Sequence, residues 1–155
     1  MTQRMKWTGS DDQFFEVLTK VVFYTGFSRK VVESRWPAFQ TAFSSFRIDE
    51  VLSYDAVMVE QLLQHDSHIV RNARKVHATI KNAGVCRELS QLHGSMADYC
   101  ARLVDIGEDQ GVKLLQESFY LIGESAARSL WKELFFPGGS GEDFSRSMTM
   151  YYVSR

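Results

Sequence analysis

The sequence has few of the residues and runs that mark several classes of protein. Two prolines in 155 residues and 24% charged residues argue against a long disordered segment. The two cysteines, Cys86 and Cys100, lack C-x-x-C spacing, so we expect neither a disulfide framework nor a zinc cluster. No apolar run reaches the roughly 18 residues of a membrane span, and no signal-peptide core directly follows the first six residues. We therefore expect one domain over residues 1–155, cytoplasmic, monomeric and without membrane contact.

Common catalytic and cofactor-binding patterns are also missing. The chain has no Gly-x-Ser-x-Gly turn and no glycine loop of the nucleotide-binding or dinucleotide-binding kind. His65 and His68 lie three residues apart, but no cysteine or carboxylate completes a metal-ligand pattern. Acidic residues are dispersed rather than paired. These absences predict that the protein binds no cofactor and no metal.

The formal net charge of −1 excludes a general attraction to nucleic acid, so any basic surface has to be local. One segment fits that description, because no acidic residue occurs between Asp66 and Glu88. Its apolar residues are spaced alternately by four and three, which predicts a helix with one apolar side. The apolar positions are Ile69, Ala73, Val76, Ile80 and Ala83, and the basic ones are Arg71, Arg74, Lys75, Lys81 and Arg87. The basic side is either a phosphate-binding surface or an ordinary solvated face.

Helical spacing of apolar residues continues through nearly the whole chain, and no alternating strand pattern is convincing. Ser10 or Asp11 can cap a first helix that runs from about Asp12 to Tyr24. Gly26 suits the left-handed stop after that helix. Residues 120–125 predict a tight turn into another helix, and residues 137–141 a flexible loop. We therefore predict an all-α fold, a compact helical domain.

Two turns are candidate binding sites for a phosphate backbone, at residues 25–28 and 121–125. Each presents N–H groups at a helix start, although ordinary helix punctuation gives the same pattern. Phe27 is either a packing residue or a wedge between bases. Trp7, Phe23 and Tyr24 either pack against other helices or stack on an extruded base.

The order of several segments resembles the DNA-3-methyladenine glycosylase I family of the helix-hairpin-helix glycosylase superfamily. The residues that carry the resemblance are 15–18, 26–28, 36–39 with Ala42, Phe43 and Phe46, 69–76 with Ala78, Ile80, Asn82 and Ala83, and 121–123. The resemblance implies an all-α domain with a helix-hairpin-helix element that binds double-stranded DNA containing an alkylated base. It further implies hydrolysis of the N-glycosidic bond of an alkylated purine, in base excision repair. An already cationic base is a good leaving group, so strong general-acid catalysis is less necessary.

The resemblance also suggests which residues form the site. The base pocket would include Trp7, Val21, Phe23 and Tyr24. The residues that bind DNA would be Gly26, Phe27, Ser28, Arg29, Arg71, Arg74, Lys75 and Gly123. Asp143 lies twenty residues after Gly123, the distance at which other superfamily branches place a catalytic aspartate, although its neighbours do not match theirs.

The sequence departs from the family pattern at several positions. Val21 stands where the family has its pocket glutamate, and Arg29 stands where it has a tryptophan. The cysteines of the family's zinc site have no counterpart. Branches with lyase activity carry a lysine just after the hairpin glycine, whereas this chain has Glu124 and Ser125, so we predict no Schiff-base chemistry. A catalytically inactive DNA-binding or damage-sensing module is therefore an alternative, and a helical interaction protein without a nucleic-acid role is a third.

Overall fold

The computed structural model describes residues 5–64 and 67–137, and the regular structure in these ranges is helical. It comprises α1 (Asp11–Tyr24), α2 (Arg29–Ser34), α3 (Trp36–Ala42), α4 (Ile48–Val51), α5 (Ala56–Leu62), α6 (Ala73–His93), α7 (Met96–Ile106), α8 (Glu108–Ser118) and α9 (Glu124–Phe135), with a 3-10 turn at Ser44–Phe46. The same ranges contain no strand, and the predicted all-α fold is confirmed. None of these helices is both long and apolar enough to cross a membrane.

Helix α1 lies at the centre of the core. Ser10 accepts a hydrogen bond from the Gln13 N–H, and the Gln13 side chain accepts one from the Ser10 N–H, so a capping box begins the helix. Ten consecutive residues, 14–23, are buried because α6, α7 and α9 all pack against α1. The helix was expected from about Asp12 to Tyr24, and the observed boundaries, Asp11 and Tyr24, agree to within one residue.

Aromatic side chains fill the core on both sides of α1. Phe14 contacts Trp7 edge-to-face, with ring centroids 5.6 Å apart, and Phe119 at 5.8 Å. Trp36 stacks on Phe39 and Phe46 at 4.9 and 5.2 Å, and these two rings contact Phe23 and Phe15 of α1 at 4.8 and 5.7 Å. These contacts join the N-terminal segment, α3 and the α8–α9 turn to the central helix.

Helices α8 and α9 pack closely because a glycine replaces a side chain where they meet. A Cβ atom on Gly111 would lie 2.4 Å from Cζ3 of the fully buried Trp131 and 3.2 Å from the Leu103 carbonyl oxygen. The indole ring of Trp131 therefore occupies the space that any other residue at position 111 would need.

We expect Gly111→Ala to lower the free energy of unfolding by about 1–3 kcal/mol, because the added methyl group overlaps a ring held in the core. Gly84→Ala is the matched control. The new Cβ would meet only Leu52 Cδ2 at 3.8 Å, so the helix should gain about 0.5–1 kcal/mol. Chemical denaturation measures both effects. A Gly111→Ala variant as stable as the wild type would contradict the close contact.

Candidate nucleic-acid interface

The turn between α1 and α2 is exposed along its whole length. Residues 25–28 are all exposed, and Gly26 has a φ of 80°, a left-handed conformation that favours glycine. Phe27 keeps 36% of its surface in contact with solvent. Ser28 caps α2 by accepting a hydrogen bond from the Val31 N–H. The turn therefore presents an apolar ring and bare backbone at the surface, as a wedge requires, although its role with DNA stays a prediction.

The turn between α8 and α9 also exposes backbone. Leu121 has a left-handed φ of 59°, and Ile122 is buried beneath the turn. Gly123 precedes the first residue of α9 with an ordinary φ of −82°, and a Cβ there would meet no atom within 4 Å. Nothing in the described part of the fold thus requires glycine at position 123. What glycine provides is uncovered backbone at the start of a helix, where an anion can approach closely.

The N-terminal half of α6 presents basic side chains beside that turn. Arg74, His77 and Lys81 of α6 are all exposed, as is Arg71, which lies two residues before the helix begins. A groove joins α6 to the turn, and its lining consists of Arg74, His77, Ala78, Lys81, Tyr120 and Leu121. Lys81 Nζ lies 5.2 Å from the centre of the Tyr120 ring. The structure therefore brings the predicted basic helix and the predicted hairpin turn to one surface.

A second basic groove lies near the start of α6. It is lined by Ser34, Arg35, Pro37, Ala38, His68, Ile69 and Arg71. Arg71 was expected at a DNA-binding surface, whereas Arg35 and His68 were not. The only sequence signal for Arg35 was its place beside the helix break at Pro37, which does not reveal its distance from Arg71.

Lys75 requires a correction, because it does not lie on the solvated basic face. The residue is 8% exposed, and its ammonium group donates hydrogen bonds to the carbonyl oxygens of Val22, at 2.5 Å, and Thr25. The ammonium therefore balances the partial negative charge of the carbonyl oxygens at the C-terminal end of α1. Burial lowers the pKa of Lys75 from its ordinary value. The helical spacing alone could not show that α1 ends beside this position.

Three of the four residues expected to form a base pocket are buried in the hydrophobic core of the described structure. Trp7, Val21 and Phe23 are at most 3% exposed. Phe23 packs against Phe39 with ring centroids 4.8 Å apart, as a core residue does. Tyr24 is the only one of the four that is half-buried. Asp143, the candidate catalytic aspartate, lies outside the described residues.

A partly buried charged cluster, which the sequence analysis missed, lies directly behind the 25–28 turn. It comprises Glu16, Lys20, Tyr24, Arg29, Glu33 and Glu133. Lys20 Nζ lies 3.8 Å from Glu33 Oε1, and the Tyr24 hydroxyl donates a hydrogen bond to Glu33. The available signal was a polar stripe at four-residue spacing, Glu16, Lys20 and Tyr24, within an otherwise apolar helix.

Two further contacts connect the cluster to α3 and α9. Trp36 Nε1 donates a 2.8 Å hydrogen bond to Glu16, whose side chain is otherwise buried in the core. The Arg29 guanidinium lies 4.5 Å above the Tyr24 ring and 3.8 Å from Glu133 Oε2. Burial lowers the pKa of Lys20, although the carboxylates of Glu33, Glu16 and Glu133 act in the opposite direction. The cluster therefore holds both ends of the exposed turn.

A comparison with protein families identifies the family to which the chain belongs. The model of the methyladenine glycosylase family matches residues 5–135, which include every described helix. The chain belongs to the methyladenine glycosylase family. No curated protein matches the chain.

Solved structures of methyladenine glycosylases share the fold of this family member. A crystal structure of 3-methyladenine DNA glycosylase I (TAG) aligns with a TM-score of 0.68 and 21% identity, over 81% of this chain and 80% of that one. A TAG from Staphylococcus aureus, whose structure concerns 3-methyladenine recognition, aligns with a TM-score of 0.71 and 17% identity. That alignment covers 83% of this chain and 79% of the other.

Two positions where we expect this chain to differ from the family pattern lie in or beside the charged cluster. Arg29, which we expect at the position of the family's tryptophan, is the cation that pairs with Glu133. Val21, which we expect at the position of the family's glutamate, is packed in the core next to Lys20. Carboxylates reach the region behind the turn from positions 16, 33 and 133.

The pKa of Glu133 predicts how stability changes with pH. Burial raises this pKa from 4.5 to about 7, although the nearby Arg29 and Lys20 cations lower it. Because the folded-state value exceeds the unfolded one, ionisation of Glu133 costs stability as the pH rises from 4.5 through 7. Glu133→Gln should remove this loss, so the variant should gain up to about 3 kcal/mol relative to the wild type between pH 4.5 and 8.

Urea denaturation at several pH values measures that difference. Glu117→Gln on the exposed side of α8 is the matched control and should follow the wild-type profile. A constant difference between Glu133→Gln and the wild type over this range would show that Glu133 ionises normally.

Proposed function

We propose that this protein hydrolyses the N-glycosidic bond of alkylated purines in double-stranded DNA, as an enzyme of base excision repair. One observation carries the proposal: in a chain of the methyladenine glycosylase family, Arg74 and Lys81 of α6 share a groove with Tyr120 and Leu121, in the turn that leads to the exposed Gly123. A DNA backbone can approach this surface closely and meet positive charge there.

Electrostatics support the choice of DNA as the partner. The chain as a whole carries a formal charge of −1, yet Arg71, Arg74 and Lys81 are exposed within residues 67–87, a segment without an acidic residue. The unpaired N–H groups at the start of the 12-residue α9 add a partial positive charge. Phosphate groups interact favourably with both features, so the surface supports backbone binding without reading sequence.

The chemistry proposed here needs little from an acid on the protein. A purine alkylated at N3 carries a positive charge while it is attached to the sugar. When the C1′–N bond breaks, its electron pair neutralises the departing base. A water oxygen bonds to C1′ and releases a proton to solvent, which leaves an abasic sugar. Because no proton has to reach the leaving base, valine at position 21 is compatible with this reaction.

A second candidate is a module that binds damaged DNA without excising the base. The observation in its favour is Val21, which is 3% exposed and cannot accept a hydrogen bond from a base or stabilise a cationic sugar with its side chain. This candidate shares the DNA-binding surface and differs only in the absence of turnover.

Base release from methylated duplex DNA separates the two candidates. We expect the purified protein to release 3-methyladenine above the level in buffer, as measured by chromatography of the free base. Binding without release would favour the module, and no binding at all would overturn both. Gly123→Thr provides a matched variant, because threonine is about as good an N-cap as glycine while its side chain covers the backbone. It should keep wild-type stability and lose most of the DNA binding.

Salt dependence should identify which cations contact phosphate. Arg74→Gln and Lys81→Gln should each weaken DNA binding and reduce the slope of log K against log salt by about 1, because each removes one phosphate contact. Lys75→Gln should instead lower stability and leave the slope unchanged, since its ammonium is bound to α1 carbonyls. Fluorescence anisotropy at several salt concentrations measures the slope. Arg102→Gln, exposed on α7, is the control, and an equal effect there would contradict a local surface.

A further inference from the structure

We propose that Asn82 is a positioning residue that fixes the α8–α9 turn against the basic side of α6, so that both contact the same stretch of DNA backbone. This inference rests on the proposed function, because it concerns how the DNA-binding surface is assembled. It assigns no contact with DNA to Asn82 itself.

The geometry joins one buried side chain to the backbone of one turn residue. Asn82 lies on α6 and is fully buried. Its amide oxygen accepts a 2.8 Å hydrogen bond from the Tyr120 N–H, and its amide nitrogen donates a 3.2 Å hydrogen bond to the Tyr120 carbonyl. A single side chain thus binds both polar backbone groups of a residue 38 positions away.

Asparagine is chemically suited to this position. Tyr120 follows the end of α8 and precedes α9, so its N–H and carbonyl have no partner within either helix. An amide supplies one acceptor and two donors on a short side chain, whereas an aspartate carboxylate supplies acceptors only. Two hydrogen bonds to one residue also restrict rotation of that residue, which a single bond does not.

The fixed residue lies between the two parts of the DNA-binding surface. Lys81 precedes Asn82, and its Nζ lies 5.2 Å from the Tyr120 ring. Three residues after Tyr120 comes Gly123, the uncovered start of α9. Movement of the turn relative to α6 would separate the Gly123 backbone from Arg74 and Lys81. A DNA strand could then meet either element but not both in one orientation.

The buried hydrogen bonds also stabilise the fold, so an experiment has to separate positioning from stability. Asn82→Leu removes both hydrogen bonds and replaces the amide with a side chain of similar volume. Asn82→Asp keeps the acceptor but places a carboxylate oxygen against the Tyr120 carbonyl oxygen. Thr79→Val is the matched control. Thr79 is fully buried on the same helix, but its hydroxyl donates to the Lys75 carbonyl within α6 and not to the turn.

DNA affinity should be measured by anisotropy at several salt concentrations, below the melting temperature of every variant. We expect both Asn82 variants to bind about tenfold or more weakly, which corresponds to about 1.4 kcal/mol. In Asn82→Leu the salt slope should stay at the wild-type value, because the strand keeps its contacts with the cations of α6 and loses only the uncharged Gly123 backbone. Thr79→Val should bind within about twofold of the wild type. Wild-type affinity in Asn82→Asp, or in Asn82→Leu where it folds, would overturn the inference.

A double-mutant cycle with Gly123→Thr tests the mechanism. If Asn82 acts by positioning the turn, its replacement should cost much less affinity once threonine already covers the Gly123 backbone. Additive losses would instead assign Asn82 a general structural role and overturn the inference, while the proposed function would stand. Absence of DNA binding by the wild type would overturn the proposed function itself.

Discussion

The burial of α1 on all sides is the constraint on which the rest of the structure depends. Residues 14–23 are enclosed by neighbouring elements, yet they include the charged side chains of Glu16 and Lys20. A buried charge is stable only with nearby partners, so α2, α3 and α9 have to supply them. Glu33, Trp36 and Glu133 do so. The need for partners to the buried charges of α1 therefore determines which faces of α2, α3 and α9 pack against it.

Helix α6 connects this core to the candidate surface through two buried polar side chains. Lys75 binds the carbonyl groups of Val22 and Thr25, where the 25–28 turn begins. Asn82, two helical turns later, binds the backbone of Tyr120 in the α8–α9 turn. An adjacent side of the same helix carries the exposed Arg74 and Lys81. One helix thus holds both exposed turns and supplies the positive charge near them.

The exposed surface and the region behind the 25–28 turn have different properties. The surface keeps bare glycine backbone, an exposed Phe27 and a basic helix side, which suit a DNA duplex. Behind the 25–28 turn lie a buried Val21 and an Arg29 paired with Glu133, at the positions where we expect the family's glutamate and tryptophan. An already cationic base tolerates this change better than a neutral base does, because its departure requires no proton. The family relationship and the altered interior are therefore compatible.

The sequence alone determined the all-α class, the limits of α1, the turn that precedes α9 and the basic character of α6. These features depend on local signals: helical periodicity, caps and glycine positions. Only the tertiary structure decided that Lys75 faces inward, that Trp7, Val21 and Phe23 are core residues, and that Arg35 meets Arg71 in one groove. Periodicity defines the sides of a helix but not the neighbour each side contacts. Burial and charge pairing depend on that neighbour, because residues such as Arg29 and Glu133 meet only when distant segments pack together.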